Sequence, residues 1–129
     1  MEILVRKQYH FWPSHRGLMA WDVDRLIRLS KDLPRFRVAV SSIGEIDEVY
    51  WFDNEEERPT CRNLIRHMRL IEEAEFSHPI ILGESGRVMD GMHRVAKALL
   101  QGMAEIEAVQ FERDPEPDYV GRKPSELPT

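Results

Sequence analysis

The chain has 129 residues, 42% of them hydrophobic and 32% charged, and its formal net charge is −5. This size and composition are typical of one globular domain and exclude a disordered chain. An acidic chain also lacks the broad basic surface with which proteins hold duplex DNA, so nucleic acid is a disfavoured partner. No apolar run is long enough to cross a bilayer and the N-terminus does not resemble a signal peptide, so we expect a cytoplasmic protein without membrane contact.

The first half of the chain predicts an arm, a helix and strands. The segment "YHFWPSHRGLMAW" interleaves aromatic residues with basic residues. Its aromatic rings either stack on a nucleotide base or on single-stranded nucleic acid, or they cover a sheet edge or a subunit interface. "WDVDRLIRLSKDLP" predicts an amphipathic helix capped by Asp22 and stopped at Pro34, with one face formed by Val23, Leu26, Ile27, Ser30 and Leu33. "RFRVAVSSI" predicts a strand, and "EVYWFD" a second, shorter one.

The second half predicts two helices around a hairpin. "RPTCRNLIRHMRLIEEAEF" predicts a helix from about Thr60, with the apolar stripe Cys61, Leu64, Ile65, Met68 and Ile71. This pattern buries the single cysteine and leaves His67 as a structural residue at the edge of the stripe. "PIILGESGRVMD" predicts a β-hairpin, "GMHRVAKALLQG" a helix that buries Met92, Val95, Ala96 and Leu99 and ends before Gly102, and "IEAVQF" a closing strand.

These elements describe a small α+β domain with a mixed sheet over residues 1–111. Residues 112–129 are rich in proline and predict an extended tail, either over the domain or in solvent.

Candidate binding and catalytic residues are concentrated where the predicted hairpin is followed by the last helix. A helix that begins near Gly91 leaves the backbone N–H groups of Met92, His93 and Arg94 free to bind phosphate or carboxylate. Gly91 lets an anion approach, Arg94 adds a fork of donors, and His93 can shuttle a proton near neutral pH. Asp90 repels a phosphate unless Mg²⁺, or an amine or hydroxyl of the substrate, lies between them.

Each of these residues also has a purely structural interpretation. Asp90 caps the helix, His93 is a surface histidine, and Arg94 pairs with the neighbouring acidic runs. Their concentration within five residues favours a site over a polar turn.

The turn, helix and strand "DGMHRVAKALLQG" and "IEAVQF" resemble the ParB/sulfiredoxin superfamily. The resemblance covers about residues 36–111 and is most specific over 79–111. In this superfamily the turn and the helix N-terminus bind nucleotide phosphates: CTP in ParB partition proteins, ATP in sulfiredoxins, and ADP or ATP in free serine kinases. The resemblance therefore implies a ParB/sulfiredoxin-like fold, in which Gly91, Met92, His93 and Arg94 bind the phosphates of ATP or ADP, or of CTP. The carboxylate beside these phosphates makes Asp90 the candidate ligand of Mg²⁺.

Departures from the superfamily pattern narrow the expected reaction. Met92 stands where a sulfiredoxin has its reactive cysteine, which excludes that chemistry. The doubled arginine of the ParB form is missing, as are the regions that follow it in partition proteins, so we do not expect DNA partitioning. The "DG-x-HR" form is similar to the free serine kinases, which phosphorylate a small hydroxylated amino acid.

The similarity to those kinases implies that Asp90 and His93 lie near the transferred phosphate. It also implies a carboxylate base within "SSIGEIDEVYWFDNEEE", where Glu45 and Glu48 are better candidates than Asp47. An acidic run beside a strand is, however, more often a solvated edge than a catalytic cluster.

The whole chain is also similar to short bacterial ParB-like proteins that share "YWF", "HPIIL", "MDGMHR" and "DPEPDY". Two functions follow as expectations. The first is a nucleotide-binding phosphotransferase that acts on a small hydroxylated molecule. The second is a non-catalytic nucleotide-sensing or nucleic-acid-associated regulatory module. A homodimer is compatible with both.

Overall fold

Two small sheets and three α-helices make up residues 8–52 and 57–129, the part of the chain that the computed structural model describes. The strands are β1 (Tyr9–Ser14), β2 (Gly17–Asp22), β3 (Phe36–Ala39), β4 (Ile80–Leu82), β5 (Val88–Asp90), β6 (Glu105–Gln110) and β7 (Tyr119–Val120). The helices are α1 (Val23–Ser30), α2 (Cys61–Glu73) and α3 (Met92–Leu100). This is a small α+β domain, as the sequence predicts. None of these helices has the length and apolar character needed to cross a membrane.

The larger sheet has the strand order β3-β6-β4-β5 and is mixed. Strands β4 and β6 are parallel, with Ile80 opposite Ala108, whereas the other two pairs are antiparallel. One face packs on α3 through a buried cluster that includes Ile80, Val88, Val95 and Ile106. The other face packs on α1 and β2 through Trp21, Leu26, Ile81, Met89, Val109 and Phe111. Residues of β5 contribute to both buried clusters, and α3 packs on one of them just after the strand ends.

The smaller sheet has the order β1-β2-β7, and its β1–β2 hairpin was not predicted. Gly17 makes the turn possible because its φ is +114°. The C-terminal tail supplies β7: the Asp118 N–H donates to Ala20 O and the Gly121 N–H donates to Leu18 O, both at 2.8 Å. The sequence left open whether the tail lies over the domain or in solvent, and the structure shows that it lies over the domain.

Helix α1 agrees with its predicted cap and only partly with its predicted face. The Asp22 carboxylate accepts a hydrogen bond from the Asp24 N–H at 3.0 Å. Leu26 is fully buried, whereas Ile27 is 49% exposed, because the helix contacts the sheet with a narrow stripe. The predicted place of Ile27 in the core is therefore wrong.

Helix α3 ends as predicted. Gly102 has a φ of +72° and allows the Met103 N–H to reach Ala98 O at 2.9 Å. Met92 and Val95 are buried as expected, but Ala98 is buried in place of Leu99, which is 52% exposed.

Helix α2 begins after Thr60, whose hydroxyl accepts from the Asn63 N–H, but its predicted apolar stripe is wrong. Cys61, Leu64, Ile65 and Met68 are all exposed, and the buried residue of this helix is His67. Polar and aromatic partners on the facing segments draw His67 inward, and this rotates the apolar side chains toward solvent. The prediction that Cys61 is buried fails for the same reason.

The segment "EVYWFD" is not a strand over Glu48–Phe52, and its last residue lies outside the described residues. A 3-10 turn at Gly44–Asp47 precedes it. Side chains replace a backbone ladder here: the Tyr50 hydroxyl donates to Val88 O at 3.0 Å, and the Glu45 carboxylate accepts from the Val88 N–H. These bonds tie the segment to β5 without adding a strand.

Candidate functional site

The N-terminal turn of α3 is the centre of the candidate site. Gly91 caps the helix with a φ of +102°, and its carbonyl accepts from the N–H groups of Arg94 at 2.9 Å and Val95 at 3.1 Å. The Arg94 N–H is therefore not free, contrary to the sequence expectation. The N–H groups of Met92 and His93 are the ones that helix geometry leaves without an intrahelical acceptor.

Arg94 and Asp90 form an ion pair at this turn. Arg94 Nη2 donates to Asp90 Oδ2 at 3.1 Å and to Pro79 O at 3.3 Å, while its Nε is buried without a hydrogen-bond partner among the described residues. Asp90 does not cap the helix, because the N-cap is Gly91 and no side chain caps it. The charge of Asp90 is therefore balanced by Arg94.

A chain of hydrogen bonds reaches His93 from α2. Glu57 Oε1 lies 2.9 Å from His67 Nε2, and His67 Nδ1 lies 2.8 Å from His93 Nε2. The Trp51 ring stacks on both imidazoles, with centroids 4.5 Å from His67 and 4.6 Å from His93. Sequence reasoning missed this cluster, and the one sign of His67 was a polar residue beside an apolar stripe.

The His93 ring is neutral at pH 7. Burial is the main cause that lowers its pKa to about 4, and the electrostatic influence of His67, Arg66 and Arg94 lowers it further. Glu57 acts in the opposite direction and does not offset them. A neutral imidazole has one donor and one acceptor nitrogen, so His93 can accept a proton from a substrate.

The two candidate carboxylate bases lie beside the start of β5. Glu45 is buried and accepts from the Val88 N–H, whereas Glu48 is exposed and pairs with Arg87 at 2.8 and 3.1 Å. The hydrogen bond from Arg87 lowers the pKa of Glu48. The structure thus brings Asp90, His93 and Arg94 together, while Glu45 and Glu48 are engaged with residues on the hairpin.

We expect the substitution Glu45→Ala to lower the free energy of unfolding by about 2 kcal/mol, because it leaves the buried Val88 N–H without an acceptor. Urea denaturation measures this loss. Glu48→Ala is the matched control and should leave the midpoint almost unchanged, since its ion pair is exposed. Equal midpoints for the two variants would contradict a structural role for Glu45.

Two concave regions flank the turn. Arg94 lines a cleft of about 270 Å³ together with Arg37, Phe76, His78, Ile80, Met103, Glu105, Ile106 and Glu107. Met92 lines a second cavity of about 190 Å³ together with Glu45, Ile46, Glu48, Val49, Tyr50, Trp51, Phe52, Ala96 and Leu99. The first turn of α3 therefore contributes Arg94 to the cleft and Met92 to the cavity.

No protein-family model, curated protein or solved structure matches the chain.

The residues of the turn do not fit a magnesium ion on Asp90. The Oδ2 atom of Asp90 accepts from Arg94, and residues 8–52 and 57–129 contain no group of three or more His, Cys, Asp or Glu placed to hold a metal.

Proposed function

We propose that this protein binds a nucleotide by its phosphates at the N-terminal turn of α3 and transfers a phosphoryl group to the hydroxyl of a small molecule. The observation that carries this proposal is one convergence: the amides of Met92 and His93, the Arg94 guanidinium and the neutral His93 ring share a single helical turn. The resemblance of residues 79–111 to ParB/sulfiredoxin domains supports a nucleotide as the ligand. Such a ligand is abundant in the cytoplasm, where we place the protein.

Anion binding at this turn follows from backbone and side-chain donors together. The helix dipole and the unpaired amides of Met92 and His93 favour a phosphate. Arg94 adds its Nη1 group, which makes no hydrogen bond to any described residue, while its Nη2 neutralises Asp90. The carboxylate therefore no longer opposes an anion at the turn.

The flanking cavities have different chemistry. Tyr50, Trp51 and Phe52 line the cavity beside Met92 and supply aromatic rings on which a base can stack. The cleft beside Arg94 combines Arg37 and His78 with the carboxylates of Glu105 and Glu107. A polar acceptor molecule fits that mixed lining better than a nucleobase does.

The reaction we propose is an in-line displacement. The hydroxyl oxygen of the acceptor attacks the terminal phosphorus, the bond from that phosphorus to the bridging oxygen breaks, and the hydroxyl proton passes to His93. Most of the rate enhancement in phosphoryl transfer comes from positioning and charge neutralisation, which the amides and Arg94 supply. In this proposal His93 takes the role of base that the resemblance to free serine kinases implies for Glu45 or Glu48.

The substitution Arg94→Ala should weaken nucleotide binding by about tenfold to a hundredfold, because it removes charge-assisted hydrogen bonds to phosphate. Titration calorimetry with ATP, ADP and CTP measures the effect and identifies the preferred nucleotide. Arg94→Lys keeps the charge but loses the donor fork and should lie in between. Arg69→Ala, an exposed arginine on α2, is the control and should bind like the parent. Unchanged affinity in Arg94→Ala would overturn the site assignment.

A second candidate function is a nucleotide-sensing module without catalysis. The Asp90–Arg94 ion pair favours it, because that bond engages the carboxylate nearest to the turn. Nucleotide binding without turnover, measured with a panel of hydroxylated metabolites, would support this candidate. Salt-dependent binding to RNA or DNA would support its nucleic-acid-associated form, against which the acidic net charge argues.

A further inference from the structure

We infer that Glu57 and His67 are positioning residues that hold His93 as its Nε2–H tautomer, so that the open Nδ1 atom receives the substrate proton. The same hydrogen bonds then pass a proton on to His67. The catalytic use of this relay rests on the proposed function, whereas the tautomer does not.

The tautomer follows from the direction of the hydrogen bonds. The Glu57 carboxylate accepts from Arg66 and has no proton to give, so His67 Nε2 must donate to it. When His67 carries this single ring proton, its Nδ1 has only a lone pair, which must accept from His93 Nε2. His93 is left with its lone pair on Nδ1.

The surroundings of His93 hold the ring in this orientation. Trp51 lies almost parallel to both imidazoles, at 18° to His67 and 12° to His93. Rotating the His93 ring to exchange its nitrogens would break the bond to His67. Among the described residues His93 Nδ1 has no hydrogen-bond partner, and it is not one of the fully buried unpaired atoms, so it is in contact with solvent.

The proton transfer balances atom by atom. The substrate O–H bond breaks as His93 Nδ1–H forms, and His93 Nε2–H breaks as His67 Nδ1–H forms. His93 ends neutral, and His67 ends as an imidazolium that donates to the Glu57 carboxylate. The positive charge therefore rests beside a carboxylate, while burial and the nearby Arg66 and Arg94 disfavour it on His93.

Nitrogen NMR of the ¹⁵N-histidine-labelled protein tests the tautomer directly. At pH 7 the wild type should show His93 protonated on Nε2 and unprotonated on Nδ1. His67→Phe keeps a ring under Trp51 but removes the acceptor, so His93 should become a mixture of tautomers. His15→Gln, at an exposed turn, should leave the His93 signals unchanged, and the signals that disappear in this variant belong to His15. A wild-type His93 protonated on Nδ1 would overturn the inference.

Kinetics test the relay in the same samples. Glu57→Gln keeps an acceptor for His67 but loses the charge that stabilises the imidazolium. This variant should retain the His93 tautomer. Its kcat should fall about tenfold or more while KM stays within about twofold, and the acid limb of the pH profile of kcat should move. An unchanged kcat would overturn the relay.

The two proposals fail in different ways. The expected tautomer without any nucleotide binding would refute the proposed function and leave the positioning of His93 intact. Nucleotide turnover by a protein whose His93 is protonated on Nδ1 would refute the relay and support the proposed function.

Discussion

Replacing Gly91 with alanine is expected to destabilise the protein by about 3 kcal/mol, from left-handed backbone strain and a steric clash together. Gly91 has a φ of +102°, and a Cβ atom there would lie 2.7 Å from Arg94 Nη2 and 2.8 Å from Ile80 Cγ2. The arginine can move, but Ile80 is 1% exposed and is held in the core. The loss should appear as a lower urea midpoint at constant m-value.

Gly86→Ala is the matched control for this substitution. Gly86 also has a positive φ, +85°, but nothing lies within 4 Å of the position that a Cβ atom would take there. We expect it to lose only the backbone contribution, about 1 kcal/mol. If both variants lose the same stability, the close approach of Gly91 to Ile80 contributes nothing.

The second large effect is a loss of stability in acid. Burial lowers the pKa of His93 and of His10 from 6.5 to about 4, with Arg87 adding to the effect at His10. Between pH 6.5 and 4 the unfolded chain therefore binds more protons than the folded one, so stability falls as the pH falls through this window. Neither ring is fully shielded from solvent, so we expect about half of the loss in free energy of unfolding that the two pKa shifts alone would give. This loss is roughly 3 kcal/mol for the two rings together.

Urea denaturation at pH steps from 7 to 4 measures this dependence. His93→Gln and His10→Gln should each remove about half of the histidine contribution to the slope, whatever they do to the stability at pH 7. His15→Gln should keep the parental slope. Parallel curves for His93→Gln and the parent between pH 4 and 6.5 would contradict the role of His93.

Elements defined by local signals were predictable from the sequence. Asp22 and Thr60 cap their helices, and Gly102 ends α3, because these residues satisfy or allow hydrogen bonds within a few positions of themselves. The hairpin of β4 and β5 and the start of α3 after Gly91 follow in the same way. This local chemistry is why the polar turn at residues 90–94 could be located in advance.

Features set by distant partners were not predictable. His67 and His93 lie 26 residues apart, and Glu57 and His67 lie 10 apart across the beginning of α2. Periodicity placed Leu64 and Ile65 inside because it registers apolar side chains and takes no account of a buried hydrogen-bond chain. The pairing of β2 with β7 could not be predicted because β7 comes from the tail, nearly a hundred residues later.

The strand contributed by the tail alters how the small sheet opens in solution. A two-stranded hairpin is marginally stable in water, and β7 completes a third strand while Trp21 Nε1 donates to Pro115 O at 2.7 Å. The amide hydrogens of Asp118 and Gly121, which donate to Ala20 O and Leu18 O, are therefore released to solvent only when residues 115–121 detach. The C-terminal segment thus behaves as part of the cooperative unit rather than as a fraying end.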